Sequence, residues 1–161
     1  MIEIREANEA DWSGIWPIFR AVVETGDTYA YAPDTPEAAA RRLWTAAPAR
    51  AYVAVVAGKV AGTYSLRPVQ PGLGDHVANA GFMVSTDAAG RGVGRALGEH
   101  ALAEARRLGY AAMQFNFVVS TNDRAVRLWQ SLGFATVGTV PGAFRHKERG
   151  PVPVYIMHRV L

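Results

Sequence analysis

The chain contains no cysteine among its 161 residues. A disulfide, a thiolate nucleophile and a cysteine metal site are therefore excluded. Its four histidines, at positions 76, 100, 146 and 158, have no metal-ligand spacing, so we predict no metal centre. There is also no serine arrangement that would indicate a covalent nucleophile.

Long apolar runs and strong net charge are missing as well. No segment is apolar for long enough to span a bilayer, and residues 1–6 lack the pattern of a signal peptide. We therefore expect a cytoplasmic protein without a membrane partner. The formal net charge is only +3, with no run of like charges, which gives little reason to expect nucleic acid binding. Length and composition fit a single domain over residues 1–161.

The most informative segment that the chain does contain is rich in glycine. An apolar, strand-like run over residues 80–84 is followed by glycines at positions 90, 92 and 94 and then by a helix-forming segment. Alternate glycines let the backbone curl so that several N–H groups face one point, and the helix start adds further unpaired N–H groups. Strand, loop and helix together predict an anion site, most often one for a phosphate.

The spacing of the glycines narrows the kind of phosphate site. A Walker loop is excluded because no Gly-Lys-Ser/Thr follows, and the dinucleotide pattern G-x-G-x-x-G is excluded because Arg95 and Leu97 stand where the third glycine would. The segment resembles the pyrophosphate loop of the GNAT superfamily of N-acetyltransferases, Gln/Arg-x-x-Gly-x-Gly/Ala. Ala89 replaces the usual Gln or Arg, so the contacts would depend on backbone amides, helped by Arg91 or Arg95.

A second segment, residues 120–134, resembles the other GNAT signature, Asn-x-x-Ala-x-x-Leu-Tyr-x-x-x-Gly-Phe. Asn122 is a good helix N-cap and Gly133 a natural end of the helix. In the superfamily the tyrosine of this signature protonates the leaving CoA thiolate, but Trp129 stands in its place here, and an indole cannot transfer a proton at neutral pH. The thiolate would leave unaided, or take a proton from water or from Tyr29 or Tyr31. Trp129 itself is also explained by core packing.

Hydrophobic periodicity predicts the order of elements as β-α-α-β-β-β-α-β-α-β-β. The resemblance implies an α/β (α+β) GNAT fold with a single mixed, mostly antiparallel sheet. This sheet would be splayed between its fourth and fifth strands and carry helices on both faces. The expected helices are residues 12–23, 35–45, 93–108 and 122–132, and the later strands are 51–57, 60–66, 80–84, 113–119, 134–140 and 154–160.

The resemblance also implies acetyl-CoA as cosubstrate and direct attack by a deprotonated amine in a ternary complex. A backbone N–H near Val84 would polarise the thioester carbonyl, and Val84, Asn116 and Asn122 are the expected catalytic residues. The residues expected to bind acetyl-CoA are Met83, Val84, Ala89, Gly90, Arg91, Gly92, Val93, Gly94, Arg95, Asn122 and Trp129.

Two asparagines occupy strands, where asparagine is disfavoured. Asn79 and Asn116 lie in the strands that border the expected cleft, and a buried amide costs about 1–3 kcal/mol unless it is paired. Each amide either binds the substrate or satisfies a bulge or a splayed backbone. Asn122 is explained by its cap role, although the resemblance adds a contact to cofactor or substrate.

A closer likeness concerns residues 76–140, which resemble the yeast proline-analogue N-acetyltransferases. His76-Val-x-Asn79-Ala-Gly-Phe82, Phe115-Asn116-x-Val and Thr121-Asn122 carry this likeness together with Trp129. It implies a small imino acid, such as azetidine-2-carboxylate, as substrate. In that case Asn79, Asn116 and Asn122 would hold the substrate.

A related possibility is a bacterial phosphinothricin or amino-acid acetyltransferase, which the size and helix arrangement also resemble. The substrate loop would then be residues 24–31, with Glu24, Tyr29 and Tyr31, and a second loop over residues 142–147 would present Arg145 or His146 to an anionic group. A solvated turn explains this second loop equally well. Arg67 is a further candidate for anion binding.

Other questions are left open by the sequence. No general base is obvious. Asp75 and His76 are the best candidates, with Glu24 behind them, and His100 is expected to be solvated. The partner is expected to be a small-molecule amine, and a homodimer formed by an edge strand or by the last strand, residues 154–157, is possible. A catalytically degenerate acyl-CoA-binding domain and a peptide-acetylating enzyme are the remaining alternatives.

Overall fold

The computed structural model describes residues 1–161, and its elements follow the predicted order. The helices are α1 (Trp12–Glu24), α2 (Glu37–Thr45), α3 (Val93–Arg107) and α4 (Asp123–Ser131). The strands are β1 (Ile2–Glu6), β2 (Arg50–Val56), β3 (Lys59–Pro68), β4 (Val77–Val84), β5 (Ala112–Val119), β6 (Ala135–His146) and β7 (Gly150–Val160).

One seven-stranded sheet contains all the strands, in the order β1-β2-β3-β4-β5-β7-β6. Every neighbouring pair is antiparallel except β4 and β5, which are parallel and paired only at Val77–Ala112 and Ala78–Met113. After these two pairs the strands separate. The predicted GNAT fold, with a splay between the fourth and fifth strands, is confirmed.

Helices cover both faces of the sheet and bury two clusters of apolar side chains. On one face α1 and α2 pack over β2 and β4, with Phe19, Trp44 and Met83 buried. On the other face α3 and α4 pack over the middle of the sheet, with Leu97 and Trp129 buried in a larger cluster. The gap between β4 and β5 is therefore bordered by helices on both faces of the sheet.

Polar contacts tie α3 to the sheet beneath it. The hydroxyl of Tyr64 lies 2.8 Å from His100 Nδ1, and the hydroxyl of Tyr52 donates to Glu104 Oε1 at 2.8 Å. The prediction that His100 is solvated is therefore wrong, because its ring faces a buried tyrosine of β3. Burial lowers the pKa of His100.

The final hairpin is longer than the sequence predicts. β6 continues to His146 because a bulge between Val140 and Phe144 absorbs Gly142, whose φ is 58°, and pairing resumes at Phe144–Val152. Residues 142–146 therefore belong to a strand, and the expected loop over residues 142–147 is wrong.

The last strand lies inside the sheet. β7 pairs with both β5 and β6, so residues 154–157 have no free edge for pairing with a second copy, contrary to one of the two dimer modes expected. The free edges are β1 and β6. No helix combines the length and the apolar character needed to cross a membrane.

Candidate active site

The glycine-rich loop between β4 and α3 is open on its outer side. Gly90 and Gly92 have φ angles of 77° and 81°, a left-handed conformation that favours glycine. A Cβ added at either position would meet no atom within 4 Å. Glycine is therefore required there by the backbone angle and not by packing.

The first turn of α3 presents unpaired amides on this open side. The first hydrogen bond inside the helix runs from the Ala96 N–H to the Gly92 carbonyl, at 3.0 Å. The N–H groups of Val93, Gly94 and Arg95 consequently have no partner within the helix, and no side chain caps it. These amides and the positive end of the helix dipole favour an anion such as a pyrophosphate.

The arginine side chains around the loop differ in the contacts that they make within the protein. Arg95 lies 3.5 Å from Glu99 and donates to Ser131 Oγ at 2.8 Å, whereas Arg91 is exposed in the loop. Arg124 of α4 also borders this region, and sequence reasoning missed it. Its only signal in the sequence is its place in the first turn of the α4 helix, two residues after the cap residue.

Beyond its last pair with β5, β4 offers free backbone groups to the gap. The Ser85 N–H donates to the Ala61 carbonyl at 2.9 Å. Because these groups alternate in direction along a strand, odd-numbered residues at this end of β4 direct their N–H and C=O groups to β3. The backbone groups of Ala80, Phe82 and Val84 therefore point the other way, into the gap. The N–H of Val84 has the direction that its predicted role needs.

Together these groups form a cleft of about 480 Å³ between β4, α3 and α4, which we call the cofactor cleft. The amides at one end suit the pyrophosphate of CoA, and the free strand edge suits the amide-containing arm. The cleft is lined by most of the residues expected to bind acetyl-CoA, namely Met83, Val84, Ala89, Gly90, Gly92, Val93, Gly94, Arg95, Asn122 and Trp129. Arg91 lies beside it, and Met83 uses its backbone to pair with β3.

A second cavity, of about 430 Å³, lies on the α1–α2 face of the same gap, and we call it the amine cavity. Arg67 and Asn79 are directly opposite in the β3–β4 pair and Gly81 follows two residues later, so all three face this side. Six residues line both cavities: Thr28, Tyr29, Phe82, Asn122, Ala125 and Trp129. A ligand in one cavity can therefore meet a ligand in the other at the splay.

The two strand asparagines have partners at the points where the sheet is irregular. Asn79 Nδ2 donates to the Gln114 carbonyl at 3.0 Å, just past the last β4–β5 pair, and Asn116 Oδ1 accepts from Gln114 Nε2 at 2.7 Å. Asn116 also lies where the β5–β7 register shifts. The splay and the bulge thus account for both residues, and both also line the amine cavity.

Tyr29 and Tyr31 line the amine cavity, but they are poor proton donors. The Tyr29 hydroxyl donates to the Phe82 carbonyl at 2.9 Å, and burial raises the pKa of both tyrosines. Arg67, in contrast, lowers the pKa of each by a smaller amount. A phenolate left in this apolar cavity would be costly, so neither side chain is a good acid for a CoA thiolate.

Trp129 packs in the core and also faces the two cavities. It is 8% exposed and packs against Phe82 and Phe115, with ring centroids 4.7 Å away in each case. It also lines both cavities. Its indole N–H can donate a hydrogen bond towards a ligand but cannot protonate one.

Several candidate residues lie outside the two cavities. Glu24 is exposed at the end of α1, 3.6 Å from Arg20, and Arg145 is exposed on β6. Asp75 and His76 are exposed before β4. No group of three or more His, Asp or Glu side chains is placed to hold a metal ion.

Asn122 is placed where the sequence predicts. Its side chain accepts from the Ala125 N–H at 3.3 Å, which caps α4. Residues of the amine cavity that sequence reasoning missed include Trp44, Ser65, Gly81 and Phe117.

This combination of a splayed sheet, an amide-lined loop and two meeting cavities matches a known family. The model of the Acetyltransferase (GNAT) family matches residues 5–134. A solved GCN5-related N-acetyltransferase from Kribbella flavida is 49% identical to this chain, with a TM-score of 0.95 over 99% of this chain and 98% of that one. The chain belongs to the GNAT family of acetyltransferases, which use acetyl-CoA.

Two further proteins are similar. The N-acetyltransferase aca1 of Schizosaccharomyces pombe is 38% identical over 96 residues, which are 59% of this chain and 46% of that protein. The chain thus matches less than half of that relative's length. A phosphinothricin acetyltransferase of Sinorhizobium meliloti, solved in complex with acetyl-CoA, shares the fold with a TM-score of 0.88 and 23% identity, over 99% of this chain and 88% of that one.

Proposed function

We propose that the protein transfers an acetyl group from acetyl-CoA to the amine of a small amino or imino acid, by direct attack in a ternary complex. One observation carries the choice of substrate. Arg67 is the only charged residue that lines the amine cavity. A lone guanidinium in a mostly apolar cavity, without a carboxylate opposite it, suits a ligand that brings its own carboxylate.

The contacts of Arg67 favour this role. Its Nη2 donates to the Leu43 carbonyl and to Ser65 Oγ, the latter at 3.2 Å. These bonds fix the guanidinium and leave the N–H groups of Nε and Nη1 without a protein partner. An arginine that is held in place loses less freedom when it binds a carboxylate in the two-pronged manner.

The residues around the splay suit acetyl transfer. Acetyl-CoA, when bound, supplies a thioester carbonyl that an amine can attack. The N–H of Val84 is directed to donate to the carbonyl oxygen as negative charge develops on it. The amine nitrogen forms the new N–C bond, the C–S bond breaks, and the thiolate leaves.

Water accepts the proton that the amine loses and supplies the proton that the leaving thiolate gains. No histidine or carboxylate lines the amine cavity, so the amine must arrive in its neutral form and release its proton to solvent after attack. Trp129 can donate a hydrogen bond but no proton, and Tyr29 and Tyr31 hold theirs. The leaving thiolate is therefore protonated by solvent, and turnover should rise with the neutral fraction of the amine.

The lining of the amine cavity favours an imino acid over phosphinothricin. Phosphinothricin carries two acidic groups, a carboxylate and a phosphinate, whereas the cavity has one cation. The other walls are mostly apolar, with the rings of Tyr29, Trp44 and Phe117 among them, and suit a compact apolar ring. A cyclic imino acid such as azetidine-2-carboxylate fits these demands.

The test is CoA release from acetyl-CoA with a panel of amines. The panel contains azetidine-2-carboxylate, azetidine (the same ring amine without the carboxylate), phosphinothricin, primary amino acids and a lysine peptide. We expect turnover with the carboxylate-bearing ring, and Arg67→Met should reduce its kcat/KM about a hundredfold while acetyl-CoA still binds. Arg42→Met, at an exposed position of α2, is the matched control.

Three results would contradict the proposal in different ways. Preference for phosphinothricin, with a loss in Arg145→Met, would move anion binding to β6. Preference for the lysine peptide would indicate a protein substrate. Tight acetyl-CoA binding without turnover of any amine would indicate a binding domain that has lost catalysis.

A further inference from the structure

The hydroxyl of Tyr29 lies at the boundary between the two cavities. Tyr29 is one of the residues that line both, and its hydroxyl is the only side-chain group that bonds to the backbone of β4 inside the gap. It donates to the Phe82 carbonyl at 2.9 Å. That carbonyl belongs to the row of backbone groups that β4 directs towards β5 and not towards β3.

This bond leaves the Tyr29 oxygen as an acceptor only. A phenol has one proton to donate and two lone pairs with which to accept. The proton is engaged by Phe82, and no group of the protein donates to the oxygen. Burial raises the pKa of Tyr29, so the proton stays in place at neutral pH. The oxygen can therefore accept an N–H from a ligand.

The fold makes room for the hydroxyl at one position. A Cβ on Gly81 would lie 3.0 Å from the Tyr29 oxygen and 3.5 Å from the Trp44 ring. Gly81 is an ordinary strand residue without a positive φ, so its backbone angle does not require glycine. Because Gly81 has no side chain, there is room for the Tyr29 hydroxyl to reach the Phe82 carbonyl.

We propose that the Tyr29 hydroxyl oxygen accepts an N–H of the substrate amine and so directs the nitrogen lone pair at the thioester carbonyl. The neutral form of a cyclic imino acid has one N–H and one lone pair on nitrogen. Fixing the N–H on Tyr29 fixes the lone pair as well, and such alignment is where positioning residues contribute to rate. Tyr29 is thus a substrate-positioning residue that transfers no proton.

This inference rests on the proposed function, and its test uses the amine that the unmodified protein acetylates best. Tyr29→Phe should lower kcat/KM for that amine about tenfold, the loss expected for one neutral hydrogen bond. The Kd for acetyl-CoA should stay unchanged. Tyr110→Phe is the matched control, because the Tyr110 hydroxyl makes no hydrogen bond within the protein and lies outside both cavities.

A double-mutant cycle separates positioning from a general loss of structure. Gly81→Ala displaces the hydroxyl but keeps the phenol, and should also lower kcat/KM about tenfold. In the Tyr29→Phe background the same change should cost less than threefold, because the oxygen that it collides with is already gone. Additive losses would overturn the inference, and so would an unchanged kcat/KM in Tyr29→Phe.

Failure of the proposed function has a different signature. If the unmodified protein preferred amines without a carboxylate, the assignment of Arg67 would fall, while the cycle on Tyr29 and Gly81 could still be run on those amines. If a carboxylate-bearing amine were turned over and Tyr29→Phe changed nothing, only the Tyr29 inference would fall.

Discussion

The cofactor cleft and the amine cavity meet at one gap in the sheet, yet they are built in different ways. The glycine-loop end of the cofactor cleft is made by consecutive residues, from the glycine loop into the first turn of α3, and mainly by backbone N–H groups. The amine cavity is made by side chains from α2, β3, β4, β5, α4 and the segment after α1. The first site depends on backbone angles, and the second depends on tertiary packing.

The difference indicates which changes each site tolerates. A backbone site accepts many side chains as long as the required φ angles survive, which is consistent with Ala89 at a position where the motif usually has Arg or Gln. A side-chain site changes specificity with a single residue, because each wall comes from another element. Three predictions test this contrast, and a fourth concerns the docking of α3 on the sheet. The first concerns the backbone site.

Gly92→Val should produce the largest effect. At a φ of 81° a β-branched residue is strained, and its side chain would stand where the pyrophosphate must approach. We expect the Kd for acetyl-CoA to rise about a hundredfold, as for the loss of one to two hydrogen bonds to a charged group. Isothermal titration calorimetry measures it.

Gly58→Val is the matched control for this change. Gly58 has a φ of 76° and no atom within 4 Å of an added Cβ, but lies in the β2–β3 turn. It should lose a similar amount of stability and keep its affinity for acetyl-CoA. Equal affinities in the two variants would contradict the assignment of the phosphate loop.

Asn116→Ala should affect the amine cavity alone. Its Nδ2 has no partner in the protein, so we expect kcat to fall about tenfold while the Kd for acetyl-CoA is unchanged. Steady-state kinetics together with calorimetry give both quantities. Full activity would leave Asn116 with only its contact to Gln114 at the bulge.

Asn79→Ala should mainly reduce stability. Its amide satisfies the Gln114 carbonyl where β4 and β5 separate, and leaving that carbonyl unpaired costs about 1–2 kcal/mol. Chemical denaturation should show this loss in the free energy of unfolding. A stable variant with weakened amine binding would instead make Asn79 a substrate ligand.

The smallest effect concerns pH and the docking of α3. Because the pKa of His100 is lower in the folded protein, its contribution to stability is complete above the ordinary histidine pKa and is lost as the pH falls. The Arg107 guanidinium lowers the pKa of Glu104 to about 2. The contribution of this carboxyl to stability is therefore complete above the ordinary glutamate pKa and is lost only as the pH falls below that value. From about pH 7.5 to about pH 5.5, His100 therefore dominates this network.

Thermal unfolding at these two pH values tests the network. The melting temperature of the unmodified protein should fall by a few degrees more than that of His100→Gln. His76→Gln, at an exposed position, is the control and should keep the dependence of the unmodified protein. Parallel curves for His100→Gln and the unmodified protein would exclude His100 as the cause.

Sequence reasoning was successful where the structure is local. The order of all elements, the loop at Gly90 and Gly92 and the cap at Asn122 follow from spacing and from backbone preference, and the structure agrees. The same reasoning could not find Trp44 or Gly81, since a helical core residue and a strand glycine have no distinguishing pattern. It also put weight on Glu24 and Arg145, which are polar in composition but lie outside both cavities.

Arg67 shows why the amine cavity is difficult to read from sequence. Its residue type indicates anion binding, but the role proposed for it depends on the absence of any other charged residue from the amine cavity, and that is a property of packing. His100 is the opposite case. Its polar helical position predicts exposure, and only the neighbouring strand reveals the contact with Tyr64.

The gap in the sheet has a consequence for the stability of the protein with and without its ligand. Without cosubstrate, the N–H groups of Ala80, Phe82 and Val84 have no strand partner, and such amides exchange with solvent hydrogen faster than paired ones. A ligand that pairs with this edge completes the sheet and adds stability that grows with the logarithm of its concentration. The resistance of the protein to unfolding and proteolysis should therefore rise with the concentration of acetyl-CoA.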